Sequence, residues 1–123
     1  MLSILKIETD HNISISHTKN CSAVCISTKY KIGIDIENAN RKLTQRLEDR
    51  LISNNEIQKD PIEIWTMMES AFKCLDGKGI HFLNYTFLEY GDGFILNNSK
   101  KTVHVISNIY WNYSVSVSFS DQY

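Results

Sequence analysis

Asp60-Pro61-Ile62-Glu63-Ile64-Trp65-Thr66-Met67-Met68-Glu69-Ser70-Ala71-Phe72-Lys73-Cys74-Leu75-Asp76-Gly77 is the stretch whose reading decides the fold. It begins with a capping-type aspartate before proline, whose fixed φ and missing N–H suit the first helical position, and it closes on glycine. This predicts a helix from about 61 to 75. At about 100° per residue, Ile62, Trp65, Met68, Phe72 and Leu75 fall on one broad apolar arc, with Glu69 and Lys73 just beside its edge. On the N-terminal side, Leu43, Leu47 and Leu51 recur every four residues after the break at Asn38-Ala39-Asn40, predicting an amphipathic helix that ends at Ser53-Asn54-Asn55.

Both flanks read as strand. Ser3 to Glu8, Asn12 to Ser16, Ala23 to Ser27 and Ile32 to Glu37 precede the helices, and Phe82 to Tyr90, Gly93 to Asn97, Thr102 to Ile109 and Tyr113 to Phe119 follow them. In the last run Val115, Val117 and Phe119 alternate with Ser114, Ser116, Ser118 and Ser120, as in a half-exposed antiparallel strand. Two helices between groups of antiparallel strands make an α+β fold, an antiparallel sheet packed with a long helix. At 123 residues, 1–123 reads as a single domain.

Thirteen basic and fourteen acidic residues leave a net charge of -1, without the basic footprint of general nucleic-acid binding. No apolar run approaches the roughly 20 residues that cross a bilayer. The start, Met1-Leu2-Ser3-Ile4-Leu5-Lys6, lacks the charged region and cleavage site of a signal peptide, so the expected location is cytoplasmic. Cys21, Cys25 and Cys74 are an odd set without paired metal-ligand spacing, which suits reduced thiols. Cys21 and Cys25 share a strand face with Ala23, a packing arrangement. His11, His81 and His104 are too scattered to suggest a zinc site.

Chemistry concentrates in two places. In Gly33-Ile34-Asp35-Ile36-Glu37 both acids point to one face of an extended strand and both isoleucines to the other. On the long helix Glu69 and Lys73 stand one turn apart. The plain alternatives are a solvated edge-strand face and a surface ion pair contributing roughly 0.3 to 0.5 kcal/mol. Against them, Gly33 permits close backbone approach, and two carboxylates on a strand whose other face is buried are unfavourable unless something positive neutralises them. Acids from a strand and a helix beside an ammonium are what a hard divalent cation and a phosphate ester require.

The ordered motifs Ser14-Ile15-Ser16-His17-Thr18, Gly33-Ile34-Asp35-Ile36-Glu37, and Trp65 through Lys73 with Gly77-Lys78-Gly79 resemble the 4'-phosphopantetheinyl transferase family. The likeness is to the group that activates non-ribosomal peptide and polyketide carriers, whose pattern is S-H-S, G-I-D-I-E and W-x-x-K-E-S-x-x-K with a G-K-G end. The resemblance implies a single transferase-like lobe that moves the phosphopantetheine arm of coenzyme A to a serine of an acyl or peptidyl carrier protein. By the same resemblance Asp35, Glu37 and Glu69 would hold Mg²⁺. Glu69 would take the carrier serine's proton, and Lys73 would neutralise the pyrophosphate or protonate the leaving oxygen. Ser16 and His17 would contact coenzyme A, with His17 on a phosphate.

The chain departs from the family at three points. Met68 stands where the family has lysine, and its place in the apolar arc makes methionine a comfortable core residue. Thr18 replaces a serine and keeps a hydroxyl. The relatives with these motifs are two-lobed and about twice as long, this chain corresponding to the second half, whereas the holo-acyl-carrier-protein synthases have chains of this length that associate. A homo-oligomer or a second lobe is therefore expected. Carriers are acidic, and Lys42, Arg46 and Arg50 recur at four-residue spacing along the first helix as a candidate docking row, or else as a solvated face partly paired with Glu48 and Asp49. A different class of function also stays open: a non-catalytic half-length homologue that binds coenzyme A or carrier as an assembly or regulatory subunit.

Overall fold

The computed structural model describes residues 12–78 and 81–121. The expected strand Ser3–Glu8, His11 and the last glycine of Gly77-Lys78-Gly79 lie outside them. Seven strands and two α-helices are described: β1 (Asn12–Thr18), β2 (Cys21–Ser27), β3 (Tyr30–Asn38), α1 (Gln45–Asn54), α2 (Pro61–Cys74), a 3₁₀ turn (Phe82–Asn84), β4 (Phe87–Tyr90), β5 (Gly93–Leu96), β6 (His104–Tyr110) and β7 (Tyr113–Asp121). β1 and β2 form an antiparallel hairpin of their own. The other five form an antiparallel sheet in the order β3-β7-β6-β5-β4. The chain is α+β, as the sequence pattern predicts.

α2 forms where Asp60-Pro61 places it, and the Glu63 carboxylate accepts from the Asp60 N–H at 3.4 Å, one arm of a capping box. Gly77 ends the segment in the left-handed region, φ +71°, with its N–H donating to the Phe72 carbonyl at 2.9 Å. The apolar arc read from the sequence is displaced, however. The buried residues are Ile62, Ile64, Thr66, Met67, Met68, Ser70, Ala71 and Cys74, whereas Phe72 is exposed and Trp65 and Leu75 are only partly buried. The helix is covered on two sides. One side joins α1 and β4–β6 in an apolar core that includes Leu51, Met67, Met68, Phe87, Leu96 and Val105.

The other side of α2 lies on β3 and β7, and here the usual rule of apolar residues inward is reversed. Ser114, Ser116 and Ser118 of β7 are fully buried beneath the helix, while Val115, Val117 and Phe119 on the opposite face are only partly buried. Small residues are needed because the helix backbone comes close. A Cβ added at Gly33 would sit 2.1 Å from the Ser70 carbonyl oxygen and 2.6 Å from the Cys74 nitrogen. Ser70 and Ser118 share a hydrogen bond of 2.7 Å across this seam.

Among the described residues, the outer edge of β3 is met by side chains of β1 and not by a strand ladder. From β1, Asn12 Nδ2 donates to the Tyr30 carbonyl, Ser14 Oγ accepts from the Ile34 N–H at 3.0 Å, and Ser16 Oγ accepts from the Ile36 N–H at 3.2 Å. Alternation along β1 sends these three polar side chains to one side. They answer edge groups that would otherwise be left unpaired.

Two further expectations shift. Phe82 to Tyr90 is not one strand: Phe82–Asn84 is a 3₁₀ turn and β4 covers only Phe87–Tyr90. Asn55 explains the placement of β4, since its Oδ1 accepts from the Phe87 N–H while its Nδ2 donates to the Leu51 carbonyl. The first helix begins later than the leucine spacing implies, because the Thr44 side chain accepts from the Leu47 N–H and caps it. Lys42 is therefore outside the helix, and the expected row of Lys42, Arg46 and Arg50 is not continuous along it.

Candidate functional site

Asp35 lies at the centre of the acids read from the sequence. The register pairs it with Ser116 and Glu37 with Ser114, so both carboxylates share the face covered by α2, and Ile34 and Ile36 lie on the other. Asp35 is only 6% exposed. Its Oδ1 accepts from Ser16 Oγ at 3.0 Å and stands 3.5 Å from the Lys73 ammonium. Its Oδ2 is buried with no hydrogen-bond partner among the described residues. Burial, then the neighbouring Glu37, push its carboxyl up from 3.8 to about 6; Lys73 and the Ser16 hydrogen bond pull the other way without prevailing, and Glu69 adds to the rise.

Glu69 joins from α2. Burial raises its carboxyl and Glu37 adds to the rise, while Lys73 and Arg41 oppose it. A Glu69–Lys73 surface ion pair, the plain alternative to a functional site, is not what holds the lysine. Its ammonium reaches across to β3 and β1, donating to the Ile34 carbonyl at 2.8 Å and the Ile15 carbonyl at 3.4 Å, with Asp35 as its carboxylate partner. The reach follows from the close packing at Gly33, which places Lys73 Cβ within 2.9 Å of where a Cβ there would be.

Asp35, Glu37, Glu69, Lys73 and Ser16 are thus gathered at one place. The sequence reading missed Arg41. Its Nη1 donates to both oxygens of Glu37, at 2.7 and 2.8 Å, and its guanidinium lies 5.9 Å from the Trp65 ring centre. The signal was present in Asn38-Ala39-Asn40: the Asn38 side chain accepts from the Asn40 N–H and its carbonyl from the Arg41 N–H, a turn that brings residue 41 back beside residue 37. The buried hydroxyls were missed as well. Ser107, Ser114 and Ser116 share this face and have no partners among the described residues, leaving a dry polar surface around the Asp35 carboxylate.

Other expected residues stand apart. His17 is exposed and pairs across the hairpin with Ser22, on the opposite side of β1 from Ser16. Arg46 and Arg50 project from α1, where Arg50 Nη2 donates to Asn84 Oδ1 at 2.8 Å; Asp49 accepts from Gln45. Lys42 lines a small surface cleft with Arg41, Glu48 and Asp60. Met68 is wholly buried in the apolar core. All three cysteines are free thiols, with Cys21 and Cys25 half-buried on the hairpin.

The donor chemistry suits a hard cation. It offers carboxylate oxygens, one of them buried and unpartnered, on two acids, Asp35 and Glu69, whose carboxyls are held up by burial and by the neighbouring Glu37. Among the described residues no group of three or more His, Cys, Asp or Glu side chains is already drawn together as a metal cage. Glu37 is engaged by Arg41 instead. No described helix is long and apolar enough to cross a membrane. Neither a scan against protein-family models nor a search of curated proteins finds a match to this chain.

Proposed function

We propose that this chain is a Mg²⁺-dependent 4'-phosphopantetheinyl transferase lobe, transferring the phosphopantetheine group of coenzyme A to a serine of an acyl or peptidyl carrier protein. The observation that carries the reading is the unpartnered, buried Oδ2 of Asp35, placed among Glu37, Glu69 and Lys73 at the junction of β3 and α2. A buried carboxylate oxygen without a partner, beside two further acids and one ammonium, favours an added cation. Asp35, Glu37 and Glu69 would hold the metal, which when bound offsets charge on the phosphate oxygens.

The chain's own residues supply the remaining functions. Glu69, made more basic by burial, accepts the carrier serine's proton as its oxygen attacks phosphorus. Lys73 keeps its ammonium beside Asp35 and stabilises negative charge on the departing phosphate oxygen. Ser16 fixes the Asp35 carboxylate, so it supports the acids where the motif resemblance assigns it to coenzyme contact. His17, exposed at the hairpin, is the coenzyme phosphate contact, and Arg46 and Arg50 on α1, with Lys42 from the segment before it, receive an acidic carrier. A second copy or another lobe closes the coenzyme cleft.

A second reading has its own support. Arg41 occupies both oxygens of Glu37, and Lys73 is engaged by two backbone carbonyls. These contacts favour a non-catalytic subunit that binds coenzyme A or carrier without turnover. Incubating the chain with coenzyme A, Mg²⁺ and a panel of apo carriers, read by a mass gain on the carrier, separates the two. Transfer abolished by Glu69→Gln supports the enzyme. Carrier or coenzyme binding with no mass gain from any carrier overturns it in favour of the subunit.

A further inference from the structure

At the C-terminal end of α2 the structure has a cleft of about 470 Å³, within the size of small-molecule sites, which run from about 300 to 1,000 Å³. It is distinct from the acid site. Lys31, on its rim, precedes Asp35 by four residues on the same strand, a separation of about 13 Å. Between them Gly33 is pressed against the backbone of Ser70 and Cys74, which closes the direct route.

Among the described residues the rim is basic, with Lys31, Lys78, Lys100 and Lys101 against one acid, Asp76. Asp76 is already bonded to Lys31 at 2.7 Å, and among the described residues Lys78, Lys100 and Lys101 have no ion-pair partner. The interior is different in kind. Cys74 and Tyr85 are each 1% exposed, and Leu75 and Ser120 complete the wall. The Tyr85 hydroxyl is buried there with no hydrogen-bond partner among the described residues, a polar group that a ligand's donor or acceptor would complete.

The walls are built in advance. Asn98 Oδ1 accepts from the Thr86 N–H and its Nδ2 donates to the Asn84 carbonyl, while the Asn97 N–H bonds Thr86 and the Leu96 N–H bonds Val103. These bonds fix the β5–β6 loop that carries Lys100 and Lys101. Cys74 does not add covalent chemistry: burial pushes its thiol up to about 11, and the thiol donates to the Lys31 carbonyl at 3.5 Å.

We propose that this cleft binds a small organic anion with an apolar body, non-covalently: its charged group on Lys78, Lys100 and Lys101, its body against Leu75 and Cys74, and an acceptor or donor of its own on the Tyr85 hydroxyl. Because the two sites do not share residues, this binding stands whether or not the acid site transfers phosphopantetheine.

Octyl phosphate, inorganic phosphate and octanol are the probes, each titrated into the isotope-labelled full chain and followed by amide NMR shifts. Octyl phosphate should bind saturably, one per chain, with the largest shifts at Leu75, Asp76, Ser99 and Lys101. Lys100→Gln with Lys101→Gln should weaken it about tenfold, as loss of two nearby charges would. Tyr85→Phe should weaken it about threefold or more while leaving the melting temperature equal or higher, because an unpartnered hydroxyl is removed. That second variant keeps the test decisive if the lysine variant folds poorly. Asp35→Asn should leave the affinity unchanged. The proposal fails if octyl phosphate binds no better than octanol or inorganic phosphate, if the lysine and tyrosine variants bind it equally well, if its shifts centre on the exposed sheet face at Ile106 and Tyr110, or if Asp35→Asn abolishes binding.

Discussion

Replacing Asp35 by asparagine should stabilise the protein at neutral pH. The folded carboxyl titrates near 6 against 3.8 for the ordinary group, so ionising it in the folded state is opposed by about two pH units, or roughly 3 kcal/mol. The folded protein therefore holds this proton more tightly than the unfolded chain. The associated stability is fully present below about pH 4 and is lost as pH rises through about 6. Asparagine removes that loss, keeps an oxygen to accept from Ser16, and presents an amide beside the unpartnered Ser116 hydroxyl. The 3.5 Å contact with Lys73 is already included in the value near 6, since the ammonium lowers the titration point against burial. The net gain at pH 7 is therefore about 3 kcal/mol. At about 2.1 cal/mol/K per residue over 123 residues, that corresponds to a melting temperature about 12 °C higher. Denaturant unfolding of both proteins from pH 4 to pH 8, without divalent metal, is the assay. The gain should shrink through pH 6 and vanish near pH 4; an asparagine variant less stable at pH 7, or a difference that does not vary with pH, would refute the reasoning.

Gly33→Ala should destabilise the fold by about 3 kcal/mol in urea unfolding, since the new methyl meets the helix backbone and α2 must move. Met68→Lys, which writes in the lysine of the motif the chain resembles, should lower stability by several kcal/mol and bring no gain in transfer, because residue 68 is fully buried in an apolar core; thermal melts and the transfer assay check both parts. Arg41→Ala should release Glu37 and tighten Mg²⁺ binding about threefold or more by calorimetry, while changing stability by less than about 1 kcal/mol because the ion pair is partly exposed.

The punctuation of the chain was legible. Asp60-Pro61 and Gly77 bracket α2, and the alternation in residues 33–37 puts Asp35 and Glu37 on one face. Which face of an element is covered was harder to read. In β7 hydrophobicity favours Val115, Val117 and Phe119 as the inner set, yet the close approach at Gly33 leaves room only for serines, and that distance is a tertiary property. The displaced arc of α2 has the same cause, since Thr66 and Ser70 are buried by contact with β3 and β7 despite their polarity. Arg41 and the lysine contacts at Ile34 and Ile15 depend on how a turn and a long side chain fall in space, which spacing alone does not specify.

The serine and asparagine contacts along the edge of β3 give the hairpin a particular kind of attachment. β1 is fastened to the sheet by Asn12, Ser14 and Ser16 side chains and by the Lys73 ammonium. No described backbone ladder joins the two sheets. Undocking the hairpin therefore breaks a handful of separable bonds and the packing of β1 and β2 on β3, and leaves both sheets intact. Water admitted by that motion would reach the Ile34 and Ile36 amides and the Asp35 carboxylate together, so hydrogen exchange at those amides reports how often the acids become wet.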